Sequence, residues 1–189
     1  MEQTTNNKQR TTKNTLLVRI FLIGFMGCGK THIGKRLAKK LGLSFIDMDD
    51  FVEKKENRSI RTIFAEEGEN YFRKKEKECL REMANFESTI IATGGGAPCF
   101  FDNGDWMNTN GLTVYLQTPT EVIMKNLERG IAKRPLLNGL SKKELNAFVK
   151  NKIAEREAFY QNVHIIYERQ IGGDEAVKEL SDYFGMFKL

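Results

Sequence analysis

Residues 24–31 read Gly24-Phe25-Met26-Gly27-Cys28-Gly29-Lys30-Thr31 and match the pattern G-x-x-x-x-G-K-[ST]. An apolar run at residues 16–23 leads into this stretch, and apolar residues at helical spacing, Ile33, Leu37 and Leu41, lead out of it. The order strand, glycine-rich loop, helix is the context in which this pattern binds phosphate groups. A plain glycine-rich turn with a surface lysine is the alternative, and the matching context favours the phosphate-binding interpretation.

Each residue type in this loop suits a bound polyanion. Gly24, Gly27 and Gly29 allow backbone angles that other residues avoid, so that N–H groups can turn inward. Those groups and the N-terminus of the following helix favour negative charge. Lys30 can reach the terminal phosphates, and Thr31 can offer its hydroxyl to Mg²⁺. The sequence therefore predicts a site for a nucleoside triphosphate, with Mg²⁺ as cofactor.

The composition is typical of a globular protein that binds small molecules. A net charge of +5 over 189 residues suits an anionic ligand and does not require nucleic acid as a partner. The three cysteines and two histidines lack the spacing of a zinc site or a disulfide framework, which predicts reduced thiols and a cytoplasmic protein. No apolar run is long enough to span a membrane, so no membrane partner is expected.

The length predicts a single domain at residues 16–189, large enough to bury a core. Residues 1–15 are polar and predict a disordered tail. Residues 130–141 show little core-forming pattern, which predicts a mobile lid that carries Arg134. We expect this domain to work as a monomer.

Apolar runs alternate with helical patterns along the domain. Such alternation is typical of βαβ units and predicts an α/β fold, a three-layer α/β/α sandwich that binds ligands at the carboxyl ends of its strands. The predicted strands are residues 16–23, 44–46, 89–93, 112–116 and 164–167. The predicted helices are residues 30–41, 51–56, 59–66, 69–83, 119–129, 141–160 and a last helix from residue 174. Gly42 is predicted to end the first helix, Thr118 to cap the helix at Pro119, and Ser141 to open a capping box.

Candidate ligand-binding residues follow two of the predicted strands. Asp47 and Asp49 lie two residues apart, so in an extended chain one would face a metal ion and the other a second substrate. A solvated acidic turn or a helix cap is the alternative. Gly94-Gly95-Gly96 exposes bare backbone to a ligand, unless it forms a plain tight turn. Arg73 and Arg156 supply guanidinium groups, which suit a planar carboxylate better than lysines do.

Taken in order, these motifs make the chain resemble the shikimate kinase family from about residue 16 to residue 184. The shared motifs are Gly24–Thr31, Asp47-Met48-Asp49, Arg58-Ser59-Ile60 with Ile63-Phe64, Gly68-Glu69, Phe72-Arg73 and Glu76, then Gly94-Gly95-Gly96, Arg134-Pro135-Leu136-Leu137, and Arg156 with Tyr160. The resemblance implies transfer of the ATP γ-phosphate to the 3-hydroxyl of shikimate, a step of chorismate and aromatic amino acid biosynthesis. It also implies the fold of the nucleoside monophosphate kinases, with a five-stranded parallel sheet in the order 2-3-1-4-5.

The resemblance further implies a role for each matching residue. Lys30, Asp49 and Arg134 would be catalytic, and Thr31 and Asp47 would hold Mg²⁺, the aspartate through water. ATP would be bound by Gly27, Cys28, Gly29, Lys30, Thr31, His32, Arg129 and Arg134. Shikimate would be bound by Asp49, Phe64, Phe72, Arg73, Gly94, Gly95, Gly96 and Arg156. Glu76 would orient Arg73.

Other interpretations stay open at this point. Residues 167–173 lack the aspartate and proline often seen in the family, so the resemblance assigns no adenine contact there. Cys28 lies at a helix N-terminus beside Lys30 and is either a reactive thiol or an inert loop residue. Another kinase of the same fold, such as gluconate kinase, is the nearest alternative function. A nucleotide-binding regulatory protein without turnover is an alternative of a different class.

Overall fold

The computed structural model describes residues 18–129, 137, 139–170 and 172–186. The predicted tail at residues 1–15 lies outside these residues, and so does most of the predicted lid, including Arg134. None of the helices in the described part of the chain is long and apolar enough to cross a lipid bilayer.

A parallel sheet forms the centre of the described structure. Its strands are β1 (Arg19–Ile23), β2 (Ser44–Asp47), β3 (Thr89–Ala92), β4 (Leu112–Gln117) and β5 (Ile165–Glu168). They lie in the order β2-β3-β1-β4-β5, and every neighbouring pair is parallel. The predicted sheet order is therefore confirmed. β1 is the central strand, and Ile20, Phe21, Leu22 and Ile23 are buried, as expected for a strand covered on both faces.

Helices cover both faces of this sheet. They are α1 (Lys30–Leu41), α2 (Met48–Glu56), α3 (Ile60–Glu66), α4 (Gly68–Glu82), α5 (Asn103–Asn110), α6 (Thr120–Glu128), α7 (Lys142–Gln161) and α8 (Gly173–Met186). A glycine brings α1 close to the sheet, because a Cβ atom at Gly34 would lie 2.5 Å from the Phe45 ring and 3.0 Å from Leu22. Helices on both sides of a parallel sheet form the predicted three-layer sandwich, which is confirmed.

Two predicted helix ends are confirmed in detail. Gly42 ends α1 in the left-handed conformation, with φ of 70°, and its N–H donates to the Ala38 carbonyl. Ser141 and Glu144 form a reciprocal capping box at the start of α7. Both caps are formed by residues three or four positions apart in the sequence, which is why the sequence pattern alone could locate them.

Three local predictions were wrong. α2 begins at Met48 instead of residue 51, because the Asp47 carboxylate caps it by accepting the Asp49 N–H at 3.0 Å. Asp49 therefore lies in a helix, and the prediction of an extended Asp47–Asp49 segment is corrected. Thr118 does not cap α6, which begins at Thr120, since its hydroxyl is shared between the Leu116 carbonyl at 3.2 Å and the Cys28 carbonyl at 3.4 Å. α5 was not predicted at all.

The sheet brings the candidate residues to one edge. The phosphate loop follows β1, Asp47 ends β2, the triple glycine follows β3, and Arg169 follows β5. Because all strands run in the same direction, these segments meet at the carboxyl ends of the strands, where ligands bind in such sheets.

Candidate active site

The loop between β1 and α1 has the backbone geometry of a phosphate site. Gly24, Gly27 and Gly29 have φ of 143°, 83° and 100°, a region that side chains other than glycine rarely adopt. Lys30 is the first residue of α1, and its side chain is buried in the loop. Its ammonium donates to the carbonyls of Gly24, at 2.6 Å, and Phe25, at 3.1 Å. The loop thus holds a fixed positive charge beside the free N–H groups of a helix start.

A hydroxyl and a carboxylate lie together beside this loop. Thr31 Oγ1 donates to Asp47 Oδ2 at 2.6 Å. Both are hard oxygen donors of the kind Mg²⁺ prefers. In the described ranges, no group of three or more histidine, cysteine or acidic side chains could hold a metal ion.

Two neighbouring cavities share a wall at the carboxyl edge of the sheet. The first, of about 530 Å³, is lined by the phosphate loop, Asp47 and the side chains of His32, Asn126, Arg129 and Arg169. The second, of about 720 Å³, is lined by both candidate arginines, both candidate phenylalanines and the triple glycine. Met26, Asp49 and Gly95 line both cavities. A group on this wall can contact ligands in either cavity.

Asp49 is the titratable group on the shared wall. Its side chain opens to the cleft, while protein surrounds the carboxylate on its other sides. Burial raises the pKa of Asp49 to about 6, with the negative charges of Asp47 and Glu76 adding to the effect and Lys30 opposing it. A carboxylate with a pKa near neutrality is suited to accept a proton from a hydroxyl during reaction.

Arg73 is held rigidly in the second cavity. Its Nη1 donates to Glu76 Oε2 at 2.8 Å, and its Nη2 donates to Glu69 Oε1 at 2.9 Å. The ring of Phe100 lies 4.2 Å from the guanidinium carbon. Glu76 is only 1% exposed and its Oε1 has no hydrogen-bond partner among the described residues. Burial raises the pKa of Glu76, against the opposing charge of Arg73.

The triple glycine is required by its neighbours. A Cβ atom at Gly94 would collide with Glu76 Oε1, and one at Gly96 would lie 2.8 Å from the Arg73 guanidinium. The Gly95 carbonyl accepts hydrogen bonds from Tyr160 Oη at 2.6 Å and from Arg156 Nη1 at 3.3 Å. The triple glycine does form a tight turn, in which the Ala97 N–H donates to the Gly94 carbonyl at 3.1 Å, and the same glycines line the second cavity.

An apolar surface completes the second cavity. The rings of Phe64 and Phe72 lie 4.8 Å apart and line the side formed by α3 and α4. Phe25 lines the cavity near Arg156, whose guanidinium carbon lies 5.8 Å from the ring. The cavity therefore offers a ring-sized apolar surface, two guanidinium groups and a carboxylate.

Comparison with known proteins agrees with this arrangement. A family model described as "Shikimate kinase" matches residues 26–183. The shikimate kinase of Parabacteroides distasonis is 47% identical over 152 residues, which are 80% of this chain and 88% of that protein.

The chain belongs to the shikimate kinase family.

Solved structures of the shikimate kinase family share its fold. The crystal structure of shikimate kinase from Bacteroides thetaiotaomicron has a TM-score of 0.83 and 38% identity, covering 89% of this chain and 98% of that one. The structure from Acinetobacter baumannii, solved in complex with shikimate, has a TM-score of 0.82 and 33% identity, covering 93% and 96%.

The structure brings most of the predicted site residues together. The residues implied for shikimate all line the second cavity: Asp49, Phe64, Phe72, Arg73, Gly94, Gly95, Gly96 and Arg156. Those implied for ATP that line the first cavity are Gly27, Gly29, Lys30, Thr31, His32 and Arg129. Cys28 does not line it, because its side chain is fully buried beneath the loop, 3.7 Å from the Lys30 ammonium. This burial disfavours Cys28 as a reactive thiol. Arg134 lies outside the described residues.

The sequence analysis assigned no role to four residues at this site. Asn126 and Arg169 line the first cavity and donate to carbonyls of the phosphate loop. Phe100 stacks on Arg73, and Glu69 accepts from it. The sequence contains no motif that identifies Asn126, Phe100 or Arg169 as a site residue. Glu69 was detectable, because it precedes Arg73 by four residues on a predicted helix.

Proposed function

We propose that this chain transfers the γ-phosphate of ATP to the 3-hydroxyl of shikimate, giving shikimate 3-phosphate and ADP. The observation that carries this proposal is the position of Asp49 on the wall shared by the two cavities. On one side lies the phosphate loop with Lys30, and on the other lie Arg73 and Arg156. A phosphoryl donor and a hydroxy acid bound in these cavities meet at this carboxylate.

The phosphate side supplies positioning and charge. Lys30 and the loop N–H groups bind the β- and γ-phosphates, with Gly27, Cys28 and Gly29 contributing backbone. Thr31 and Asp47 would hold Mg²⁺, which neutralises charge on the phosphates when it is bound. His32 and Arg129 lie on the same cavity wall and are proposed to flank the nucleoside. The resemblance adds Arg134, whose charge would stabilise the transferred group.

The acceptor side selects the acid and activates the hydroxyl. Arg73 and Arg156 bind the shikimate carboxylate, because a guanidinium fork matches two carboxylate oxygens. Phe64, Phe72 and the backbone of Gly94, Gly95 and Gly96 border the ring. Asp49 accepts the proton of the attacking hydroxyl as the bond to phosphorus forms. Phosphoryl transfer needs little more from a protein than this positioning and charge stabilisation.

The setting of the enzyme is also a proposal. We propose that it works in the cytoplasm as a monomer, with ATP and shikimate as its partners. The cysteines in the described part of the chain are free thiols, which supports a reducing compartment.

A direct assay of acceptor choice tests the proposed function. Shikimate is expected to stimulate ADP release in the presence of ATP and Mg²⁺, whereas gluconate at the same concentration is not. Gluconate is the matched control, because it also carries a carboxylate and several hydroxyls but has no ring for the apolar surface. ADP release that is stimulated by gluconate but not by shikimate would contradict the proposal. No stimulation by either acid would favour a binding protein without turnover.

The raised pKa of Asp49 predicts a pH-dependent stability. Because its folded pKa of about 6 lies above the unfolded value, the folded chain loses stability as pH rises from about 4 through 6. Asp49→Asn is therefore expected to raise the thermal midpoint at pH 8 and to leave it unchanged near pH 4. We expect a rise of about 2–4 °C, equivalent to roughly 1 kcal/mol, since solvent in the cleft screens the charge.

Calorimetry or circular dichroism in EDTA, without nucleotide, measures this difference. Asp50→Asn is the matched control, because Asp50 is an exposed neighbour on α2 that lines neither cavity. Equal midpoints for wild type and Asp49→Asn at pH 8 would contradict the prediction.

A further inference from the structure

Arg169 is a buried cation without a carboxylate partner among the residues that the structure describes. It follows β5, is only 8% exposed, and has its backbone N–H bonded to the Gln117 carbonyl at 2.8 Å. Within the described ranges no carboxylate oxygen lies within 4.0 Å of its guanidinium, and its Nε is buried without a hydrogen-bond partner. Buried charges in proteins are normally paired. The neighbourhood of Arg169 therefore favours an anion nearby.

The one hydrogen bond of this guanidinium to the described residues goes to the phosphate loop. Arg169 Nη1 donates to the Cys28 carbonyl at 2.8 Å, and Thr118 Oγ1 approaches the same oxygen at 3.4 Å. The guanidinium also lies against the next residue, since a Cβ atom at Gly29 would be 3.0 Å from Nη1. The Cys28 carbonyl thus accepts from Arg169 and is also within reach of the Thr118 hydroxyl, and both residues lie outside the loop.

Fixing this carbonyl fixes the next amide. A trans peptide unit is planar, so the Cys28 carbonyl and the Gly29 N–H point in opposite directions. When the carbonyl is held toward Arg169 and Thr118, the Gly29 N–H is turned to the other side. Asn126 acts in the same way one residue earlier, donating to the Gly27 carbonyl at 2.8 Å.

We propose that Arg169 is a positioning residue for the nucleotide phosphates. By holding the Cys28 carbonyl, it sets the orientation of the Gly29 N–H toward the phosphates, and it adds a positive charge at the wall of the first cavity. The inference rests on the proposed function, because it takes the loop as the nucleotide phosphate site. It assigns a role to a residue in the segment 167–173, where the family resemblance assigned none.

Binding calorimetry with two probes tests this role. MgADP carries a base and sugar, whereas magnesium tripolyphosphate carries neither, and both require the loop. Arg169→Met is expected to weaken the binding of both probes by the same factor, at least about tenfold, as for loss of a charge-assisted hydrogen bond. Arg169→Lys, which keeps the charge, is expected to recover part of the loss. Shikimate affinity is expected to stay unchanged, which shows that the second cavity is intact.

Lys39→Met is the matched control for net charge. Lys39 is an exposed residue of α1 that lines neither cavity, and its loss is expected to leave both affinities unchanged. In ¹⁵N-labelled protein, the Gly29 amide resonance is expected to move less on tripolyphosphate binding in Arg169→Met than in wild type. A general loss of stability would not single out this amide.

The outcomes separate the two proposals. If wild type binds neither probe, the proposed function fails. Suppose that wild type binds both probes. The positioning role is overturned if Arg169→Met binds both as tightly as wild type does, or if it loses affinity for MgADP alone. Should Arg169→Met fail to fold, Thr118→Val removes the second donor to the Cys28 carbonyl. This variant is expected to weaken the binding of both probes to a smaller extent. Unchanged tripolyphosphate affinity in Thr118→Val would then overturn the role.

Discussion

Asp49→Asn is expected to lower kcat for shikimate phosphorylation by about 10²–10⁴-fold, the usual contribution of general base catalysis, and to leave ATP affinity close to that of wild type. The amide has nearly the same shape as the carboxylate, so the shared wall keeps its form. It cannot accept the proton of the attacking hydroxyl, however, because a neutral amide is a very weak base. The loss is therefore expected in the chemical step.

Steady-state kinetics with both substrates, together with ATP binding by calorimetry, measure this separation. Asp50→Asn is again the control, and it is expected to keep wild-type kcat. The position of Asp49 also predicts an acid limb in the pH profile of kcat/KM near its pKa of about 6. Turnover by Asp49→Asn at a wild-type rate would remove Asp49 from its proposed role.

The same residue shows where sequence reasoning reaches its limit. Spacing alone placed Asp47 and Asp49 on opposite sides of an extended chain. In the structure Asp47 turns back to cap α2, and the first helical turn carries Asp49. The two carboxylates still face different partners, Thr31 for one and the shared wall for the other. That the two carboxylates face different partners could be predicted, but the local geometry could not, because the Asp47 side chain caps a helix where an extended segment was expected.

Contacts between distant residues were harder to predict. α5 is polar and shows no amphipathic stripe in its sequence, yet it forms because Met107 is buried in the core and Trp106 packs on Phe21, with ring centroids 6.0 Å apart. Arg169 lies 141 residues from the loop carbonyl to which it donates. The loop, its strand and α1 were predictable because their signals are contiguous. Tertiary packing decides the other cases, and a single sequence does not encode it in any local pattern.

Arg156→Met is expected to lower kcat/KM for shikimate by about 10–100-fold, because each hydrogen bond from a charged group contributes about 1.5–3 kcal/mol. Arg156 is a cleaner test of carboxylate binding than Arg73. Among the described residues its own hydrogen bond is a long one, 3.3 Å, to the Gly95 carbonyl. Arg73, in contrast, pairs with Glu69 and with the buried Glu76. Its removal leaves a buried charge uncompensated, which commonly costs about 3–5 kcal/mol of stability.

The methyl ester of shikimate isolates the carboxylate from the rest of the substrate. Wild type is expected to discriminate strongly against this ester, because two guanidinium groups lose their anionic partner. Arg156→Met is expected to discriminate less against the ester, since only one guanidinium group then loses its anionic partner when the ester replaces the acid. Lys152→Met, one helical turn earlier on α7 and on the same cavity wall, controls for loss of a positive charge.

The ratio of the two acceptors is decisive because it cancels general damage to the fold. A variant that merely distorts the cavity lowers turnover of acid and ester together, and the ratio stays at the wild-type value. A variant that has lost a carboxylate contact has a lower kcat/KM for the acid only, which brings the ratio of kcat/KM for acid and ester toward one. An unchanged ratio in Arg156→Met would therefore show that Arg156 does not bind the carboxylate, even if its turnover were low. Selection of the acid would then depend on Arg73, and the proposed pair of guanidinium groups would be reduced to one.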